Sequence, residues 1–299
     1  MPSSSVTAAF EQLRPLAFSI AYRMLGSVAE AEDVVQEAFL RMHRTEGVEH
    51  PKAFVTTVTT RLAIDQLRSA RARREVYPGP WLPEPIVTDS RPDDESVSMA
   101  LLVTLERLSP VERAVFLLHD VFDYGYEEIA EIVGKSRDNC RQLALRARRH
   151  VEAERPRFQP SRSEREALAA RFFAAVRDGD LEGLVALLAE DAVATGDGGG
   201  KAAARATPLG GGEKVARFML GLMRLGERRA YAVEFAELNG EPGAIFREDG
   251  KVVGTMIVEV TGERITAIRS VVNPDKLHHL QERGQAPFLH QERKTERPG

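Results

Sequence analysis

The chain of 299 residues has one cysteine, Cys140, and one tryptophan, Trp81. A single thiol can form neither a disulfide framework nor a thiolate metal site within one chain, which excludes both classes of fold. No apolar run approaches the ~18 residues of a membrane-spanning helix. The start Met-Pro-Ser-Ser-Ser does not have the character of a signal peptide. We therefore expect a cytoplasmic protein with no membrane partner.

The chain also lacks an overall excess of positive charge, since its formal net charge is -4. It is therefore not a general polyanion binder. Its basic residues are instead concentrated at positions 68–74 and 137–157. That distribution favours contact with a nucleic-acid groove over bulk attraction.

Residues 108–157 have the pattern of a helix-turn-helix that ends in a basic helix. The first helix is predicted over 111–120 after Ser109 and Pro110, and the second over 127–133. Gly134 supplies the turn and Ser136 caps the third helix, whose positions 140, 143, 144 and 147 should face the core. Its outward residues are Arg137, Asn139, Arg141, Gln142, Arg146, Arg148 and Arg149. Arginine and glutamine at the start of such a helix suit base edges, and later arginines suit phosphates. The competing interpretation is an ordinary solvated helix.

Residues 6–75 are predicted to form three helices. One face of the second helix is polar and mostly acidic, with Glu30, Glu32, Asp33, Gln36, Glu37 and Arg41. One outer stripe of the third helix carries Arg61, Asp65, Arg68 and Arg71. The alternatives are that the acidic face is merely solvated and that Asp65 only pairs with Arg61 or Arg68.

These two blocks resemble a known family. AEDVVQEAFLRMHR at 31–44 and AFVTTVTTRLAIDQLRSARARR at 53–74 resemble region 2 of bacterial extracytoplasmic-function (ECF) sigma factors. The segment 108–151 resembles their region 4, so the likeness covers about the first half of the chain.

The resemblance implies partners for each face. Asp33, Gln36, Glu37 and Arg41 would dock on the clamp helices of core RNA polymerase, whose β′ and β subunits are the expected partners. The 47–74 segment, with Arg61, Asp65, Arg68 and Arg71, would capture and open the -10 promoter element. The third helix would contact the -35 element through Ser136, Arg137, Asn139, Arg141, Gln142, Arg146 and Arg149. Phe54 is the sole aromatic residue at 47–74, a departure from the family pattern.

Between the two blocks lies a proline-rich linker, residues 76–98, which should not fold alone. It contains Trp81 in the sequence WLPEP at 81–85. A lone tryptophan is costly to expose, so we expect it to dock on another part of the protein. The alternative is packing against a neighbouring sigma module.

From residue 161 the pattern changes to helices followed by a strand meander, which predicts an α+β cone. The predicted helices are 167–178, 181–189 and 212–225, and the predicted strands are 230–238, 243–247, 251–260 and 264–272. Asn239-Gly240, Asp249-Gly250 and Gly262-Glu263 should form the turns.

This C-terminal segment resembles the SnoaL-like branch of the nuclear-transport-factor-2 (NTF2) superfamily. WLPEP, DGGGK at 197–201 and NPDKL at 273–277 resemble signatures of ECF sigma factors that carry such an extension, the ECF41 or SigJ-like group. We expect Trp81, Leu82 and Pro83 to dock near one of the other two segments and to regulate the sigma modules. Those segments are Asp197, Gly198, Gly199, Gly200 and Lys201, and Asn273, Pro274, Asp275, Lys276 and Leu277.

SnoaL-like folds include polyketide cyclases, whose acid–base chemistry needs a carboxylate or a histidine. Asp191 and Asp197 are candidates, but their contexts are typical of a helix end and a glycine-rich loop. His278, His279 and His290 form neither a zinc pattern nor a dyad. We therefore expect no catalysis, cofactor or metal. A small-molecule ligand in this domain stays open.

The sequence thus predicts a multidomain protein of two all-α sigma domains and a C-terminal α+β SnoaL/NTF2-like cone. The modules are region 2 at 1–75, the linker at 76–98, region 4 at 99–158, the cone at 161–280 and a flexible tail at 281–299. The predicted function is an alternative sigma factor that directs core polymerase to promoters and is regulated in cis by the cone. Two alternatives are a stand-alone helix-turn-helix regulator with a ligand-sensing domain and a SnoaL-type enzyme tethered to DNA.

Overall fold

The computed structural model describes residues 3–88, 98–154, 160–227, 229 and 231–281, and the side chains of 3–6, 70–75, 153–154 and 227 lie outside that description. The described chain forms two compact units. The first contains residues 3–69 and 109–146, and the second contains residues 70–88, 98–108, 147–154 and 160–281 within these described ranges. No helix in these ranges is long and apolar enough to span a membrane.

The first unit begins with the three predicted helices. They are α1 (Ser3–Leu25), α2 (Val28–Arg44) and α3 (Pro51–Glu75), and α3 continues into the second unit. Ser27 caps α2 by accepting a hydrogen bond from Glu30 N at 3.2 Å. The apolar face of α2 is buried, which leaves its polar face at the surface. Sequence periodicity missed Thr56, Thr59 and Thr60, three buried polar residues of α3.

The helix-turn-helix completes the first unit. Its elements are α5 (Pro110–Phe116), a π-helical turn (Leu117–Val121), α6 (Tyr126–Val133) and α7 (Arg137–Glu154), whose last residues belong to the second unit. Ser109 and Glu112 form a capping box, and Gly134 ends α6 with a φ of 67°. Ser136 accepts a hydrogen bond from Asn139 N, as predicted. Cys140 and Ala144 are buried in the core of this motif.

The first helix of the motif differs from the prediction of a regular helix over 111–120. It widens into a π turn at Leu117, and the amide of Tyr124 donates to the carbonyl of Leu118 at 2.9 Å. Asp123 then takes a φ of 56°. This change of direction carries Tyr124 to α3, where its hydroxyl lies 2.8 Å from that of Thr56.

The second unit is the predicted α+β domain. Its helices are α4 (Met99–Leu105), α8 (Arg162–Asp178), α9 (Leu181–Leu187) and α10 (Gly212–Glu227). Its strands are β1 (Leu188–Asp197), β2 (Leu209–Gly210), β3 (Ala232–Leu238), β4 (Glu241–Glu248), β5 (Lys251–Thr261) and β6 (Arg264–Val271). In the described residues they form one sheet in the order β2-β1-β6-β5-β4-β3, in which β1 runs parallel to β6 and the other pairs are antiparallel. Short 3-10 helices follow at Pro274–Lys276 and His278–Leu280.

The hairpin turns formed as predicted. Asn239-Gly240 and Asp249-Gly250 have positive φ at both residues, which matches the twist of the flanking strands. The sequence missed β1 and β2, and the helix predicted to reach 189 ends at Leu187. The alanine-rich β1 has a weak strand propensity of its own, and it is stabilised by pairing with β6.

Each face of the sheet contributes to a buried cluster. The helices α8, α9 and α10 pack on one face around Phe172, Met219 and Ile268. Leu82 and Met99 are buried in the second cluster, with residues of the sheet and of the 3-10 helices. The described part of the linker, residues 76–88, and α4 therefore contribute to the core of the second unit. The compact units thus divide the chain differently from the modules proposed from sequence.

Candidate functional site

The outer face of α7 is the first candidate site. Its predicted residues are exposed, apart from Arg148, which is half-buried. Arg137 pairs with Glu127 at 2.8 Å, and the Arg141 guanidinium lies 5.7 Å from the centre of the Tyr126 ring. On the inner face, Cys140 is fully buried in the core, and this burial raises the pKa of its thiol.

The polar face of α2 is the second candidate site. Asp33, Gln36 and Arg41 are exposed, and Glu37 is half-buried. Arg41 Nε donates to Glu37 Oε1 at 2.7 Å, one helical turn away. The face therefore presents the carboxylates of Asp33 and Glu37 at the surface of α2.

The outer stripe of α3 is the third candidate site. Arg61, Asp65 and Arg68 are exposed, and Arg68 pairs with Asp65 at 3.0 Å, which was one alternative considered for this aspartate. The side chain of Arg71 lies outside the described residues. Arg61 has a second role, because its Nε and Nη2 each donate at 2.8 Å, to the carbonyls of Ile132 and Glu131. These carbonyls belong to the last turn of α6, where helix carbonyls lack intrahelical partners and attract cations.

Arg113 makes the reverse contact from the helix-turn-helix to α1. Its Nη1 donates to the carbonyl of Met24 at 2.6 Å, near the C-terminus of α1. Only 2% of Arg113 is exposed, and this burial lowers its pKa to about 9. The bundle of α1, α2 and α3 and the helix-turn-helix thus each provide an arginine to a helix end of the other, inside one compact unit.

A buried cluster around Asp197 is the fourth candidate site, and it lies in the second unit. Asp197 is fully buried at the end of β1. It accepts hydrogen bonds from Tyr77 Oη at 2.6 Å and from the Leu82 amide at 2.8 Å, and it pairs with Lys276 Nζ at 2.7 Å. The ammonium of Lys276 also donates to the Leu82 carbonyl and lies 4.0 Å from the centre of the Trp81 ring. The pKa of Tyr77 is raised, mainly because burial disfavours its charged form and also because the Asp197 carboxylate accepts its hydrogen bond.

The loop after Asp197 meets the NPDKL segment. Asn273 is buried, and its Nδ2 donates to Tyr77 Oη at 2.8 Å. A Cβ atom on Gly199, whose φ is 57°, would lie 2.2 Å from that amide nitrogen, so the close approach requires glycine. Lys201 and Asp275 form an exposed ion pair between the two segments.

The structure therefore brings the three sequence motifs together. Leu82 and Pro83 are buried and Trp81 is half-buried, while Gly200 and Pro274 at the edge of the cluster are exposed. Sequence reasoning missed Tyr77, although an aromatic residue four positions before Trp81 in a proline-rich stretch was a usable signal. It also missed the pairing of the linker with the β3–β4 turn, where Ile86 N donates to Asn239 Oδ1 and Asn239 N donates to the Ile86 carbonyl.

The candidates for catalysis have other surroundings. Asp191 is exposed on β1, and both oxygens of Asp197 accept hydrogen bonds from the cluster. His279 Nε2 is hydrogen-bonded to the Pro85 carbonyl, and burial lowers the pKa of His279. His290 lies outside the described residues. Over the described ranges, no group of three or more His, Cys, Asp or Glu residues is arranged to hold a metal ion. The arrangement around Asp197 joins the linker to the domain.

Comparison with known proteins gives consistent matches. Residues 9–73 match the Sigma-70 region 2 family, and residues 98–151 match the Sigma-70 region 4 family. The chain is 41% identical to the ECF RNA polymerase sigma factor SigJ of Mycobacterium tuberculosis over 288 residues, or 89% of this chain and 91% of that protein. It is 30% identical to the probable ECF sigma factor SigI of that species, over 92% of this chain and 96% of the other. The crystal structure of SigJ has a TM-score of 0.74 at 38% identity and covers 91% of this chain and 98% of that chain.

Proposed function

The chain belongs to the ECF RNA polymerase sigma factors, and on that premise we propose how its two units divide the work of initiating transcription. As a sigma factor it directs core polymerase to promoters. We assign polymerase binding to the face of α2 with Asp33, Gln36, Glu37 and Arg41, which would dock on the clamp helices of core polymerase. The β′ and β subunits of core polymerase are the proposed partners, and the cytoplasm is the proposed location. We assign the -10 element to the stripe of α3 and the -35 element to the outer face of α7.

The alternative, a stand-alone helix-turn-helix regulator, leaves the match at 9–73 unexplained. A tethered SnoaL-type enzyme is not favoured either. Asp197 was one of the two candidate catalytic carboxylates, and its oxygens accept hydrogen bonds from the linker. We propose that the C-terminal domain acts as a regulator without chemistry of its own.

The first unit has to open when it binds a promoter. The -10 and -35 elements lie roughly 85 Å apart, taking about 25 base pairs at ~3.4 Å each. In the structure, Arg61 is bonded to Ile132, which is separated from Arg137 at the start of α7 by at most roughly 18 Å of chain. One compact unit of this kind cannot reach both elements. The contact of Arg61 with α6 also competes with its proposed contact to the -10 element.

The cluster at Asp197 is the observation that best supports regulation of the sigma modules by the C-terminal domain of the same chain. The linker starts after α3 and leads through α4 to the helix-turn-helix. Since Tyr77, Trp81 and Leu82 are held by Asp197 and Lys276, the C-terminal domain holds the first part of the chain that joins the two DNA-binding modules. Tethering keeps the two sides of this contact at an effective concentration of roughly millimolar, so the contact forms even if it is weak.

Transcription from a cognate promoter with purified core polymerase tests this proposal. Tyr77→Phe removes one hydrogen bond to Asp197, and Trp81→Ala removes the ring beside Lys276. Asp197→Asn leaves the buried Lys276 ammonium without its counter-charge, a loss of about 3–5 kcal/mol in comparable pairs. We expect transcription to change severalfold, upward if the contact mainly holds the modules together and downward if it mainly holds a productive spacing.

The matched control is Asp191→Asn, an exposed aspartate on the same strand. Circular dichroism melting separates loss of fold from loss of control, and Tyr77→Phe keeps the test valid if Asp197→Asn unfolds. If folded Tyr77→Phe and Trp81→Ala transcribe like the wild-type chain, the domain does not regulate through this cluster.

A further inference from the structure

The first turn of α6 contacts side chains of the helix assigned to the -35 element. The Tyr126 ring is half-buried and packs against the core of the helix-turn-helix. The Arg141 guanidinium lies 5.7 Å from the centre of this ring, within the range of a cation–π contact. The ring of His119, carried by the π turn, lies 4.3 Å from the Tyr126 ring, centre to centre. Tyr126 is therefore held on two sides, by the core of the motif and by the π turn.

The neighbouring residue, Glu127, has a different contact with α7. It pairs with Arg137 at 2.8 Å, and the side chains of both residues are more than half exposed. Such a pair is screened by water and holds its arginine weakly. Adjacent residues of α6 thus contact two arginines of α7 by different means, and only Tyr126 does so from a half-buried position.

We propose that Tyr126 is a positioning residue for -35 recognition, because it holds the Arg141 guanidinium in place before DNA arrives. The inference rests on the proposed function of α7. A guanidinium recognises guanine in the major groove by donating to O6 and N7 together, which requires a defined orientation of its plane. An arginine free in solution samples many rotamers and loses that freedom on binding, whereas one already held against a ring loses less. The DNA feature that we assign to Arg141 is therefore a guanine of the -35 element.

The test uses the full chain bound to core polymerase. The probe is a promoter fragment that the wild-type holoenzyme selects from a library randomised at the -35 element, and the same fragment with a scrambled -35 element is the comparison. Dissociation constants are measured at one fixed salt concentration. Because exposed cation–π contacts contribute about 0.5–1 kcal/mol, Tyr126→Leu should weaken binding of the selected fragment about two- to fivefold. Its effect on the scrambled fragment should stay below about twofold.

Conservative replacements separate positioning from a structural role. Tyr126→Phe keeps the ring and should bind like wild type. Pentafluorophenylalanine in place of Tyr126 keeps the ring shape but reverses the charge distribution on its face, so it should match Tyr126→Leu. This comparison holds even if Tyr126→Leu fails to fold. Glu131→Gln is the control, because it removes one exposed charge from the same helix without touching an arginine of α7 and should act equally on both fragments.

A double-mutant cycle identifies the partner. In an Arg141→Ala background, Tyr126→Leu should cause no further loss of affinity for the selected fragment. An undiminished loss in that background, an equal loss on both fragments, or wild-type binding by the pentafluoro variant would overturn the positioning role. If Arg141→Ala by itself leaves the preference for the selected fragment unchanged, the assignment of Arg141 to the -35 element fails, and this inference fails with it.

Discussion

Three arginines of the first unit show how far the surroundings determine the role of one side-chain type. Arg61 is exposed and donates to the last carbonyls of α6. Arg113 is buried and donates to the carbonyl of Met24, with its pKa lowered to about 9 by burial. Arg141 lies over an aromatic ring. Sequence spacing placed Arg61 and Arg141 at the surface, but it indicated none of these partners.

Glu241 is the residue whose surroundings predict a pH dependence. Burial raises its pKa to about 7, Arg165 at 3.0 Å opposes the shift, and Glu259 on the adjacent strand adds to it. A glutamate in an unfolded chain titrates near 4.3. The folded protein therefore binds more protons than the unfolded chain between these two values. The free energy of unfolding should fall as the pH rises through this window, by up to about 3 kcal/mol, and level off above it.

Urea unfolding between pH 4.5 and 8.5 measures this effect, and Trp81 fluorescence reports on the second unit. Glu241→Gln, which cannot titrate, should remove most of the decline. The control is Glu190→Gln, an exposed glutamate of β1, which should leave the decline as it is. Identical pH profiles for wild type and Glu241→Gln would show that another group is responsible.

The amphipathic helices are the elements that the sequence predicts best, because an apolar stripe at helical spacing identifies the buried face wherever the helix packs. In α2, residues Val34, Val35 and Ala38 are buried as the pattern required. The π turn at Leu117–Val121 and strand β1 were not predictable in this way. The π turn depends on the contact of Tyr124 with Thr56 of α3, and β1 depends on pairing with β6.

Reversal of charge on α2 tests the assignment of its polar face. The double variant Asp33→Lys and Glu37→Lys should abolish co-purification with core polymerase, since like charges would replace the carboxylates offered to the partner. The fold should remain, because Asp33 is exposed and the surface ion pair of Glu37 with Arg41, one helical turn apart, contributes at most about 0.5 kcal/mol. Glu46→Lys, an exposed position beyond the end of α2, is the control. Normal co-purification of the folded double variant would remove polymerase binding from this face.

At the scale of the whole molecule, the compact units are built from separate stretches of chain. Region 2 and the helix-turn-helix share one unit, although the linker lies between them in sequence. That linker and α4 belong to the other unit, where Leu82 and Met99 are core residues. The linker was expected not to fold alone, and its described part, residues 76–88, packs on the C-terminal domain.

Opening of the first unit can be measured by energy transfer between dyes on Glu49→Cys and Lys135→Cys, with Cys140→Ala to remove the native thiol. Both labelled positions are exposed, and α3 runs roughly 15–20 Å from residue 49 to Arg61, which is bonded to the turn before Lys135. Transfer should be high in the free protein. It should fall strongly once core polymerase and promoter are added, because the two modules then occupy elements roughly 85 Å apart. A dye pair at Glu49 and Ser69, within region 2, should not change, and constant transfer for the first pair would contradict opening.

The sequence by itself determined most helices, four of the six described strands, the turns, and the family to which the chain belongs. Each of these depends on residues near one another along the chain, such as the Ser136 cap, the glycine turns and the apolar stripes. The linker was expected to dock near residues 197–201 or 273–277, but only the tertiary structure decided that Asp197 and Lys276, one from each segment, both hold it. The tertiary structure also decided that Arg61 binds the end of α6. Arg61 and Ile132 are 71 positions apart in the chain, and Leu82 and Asp197 are 115 positions apart. Composition and periodicity carry no information about such pairs, because they form only when packing brings distant segments together and burial excludes water from them.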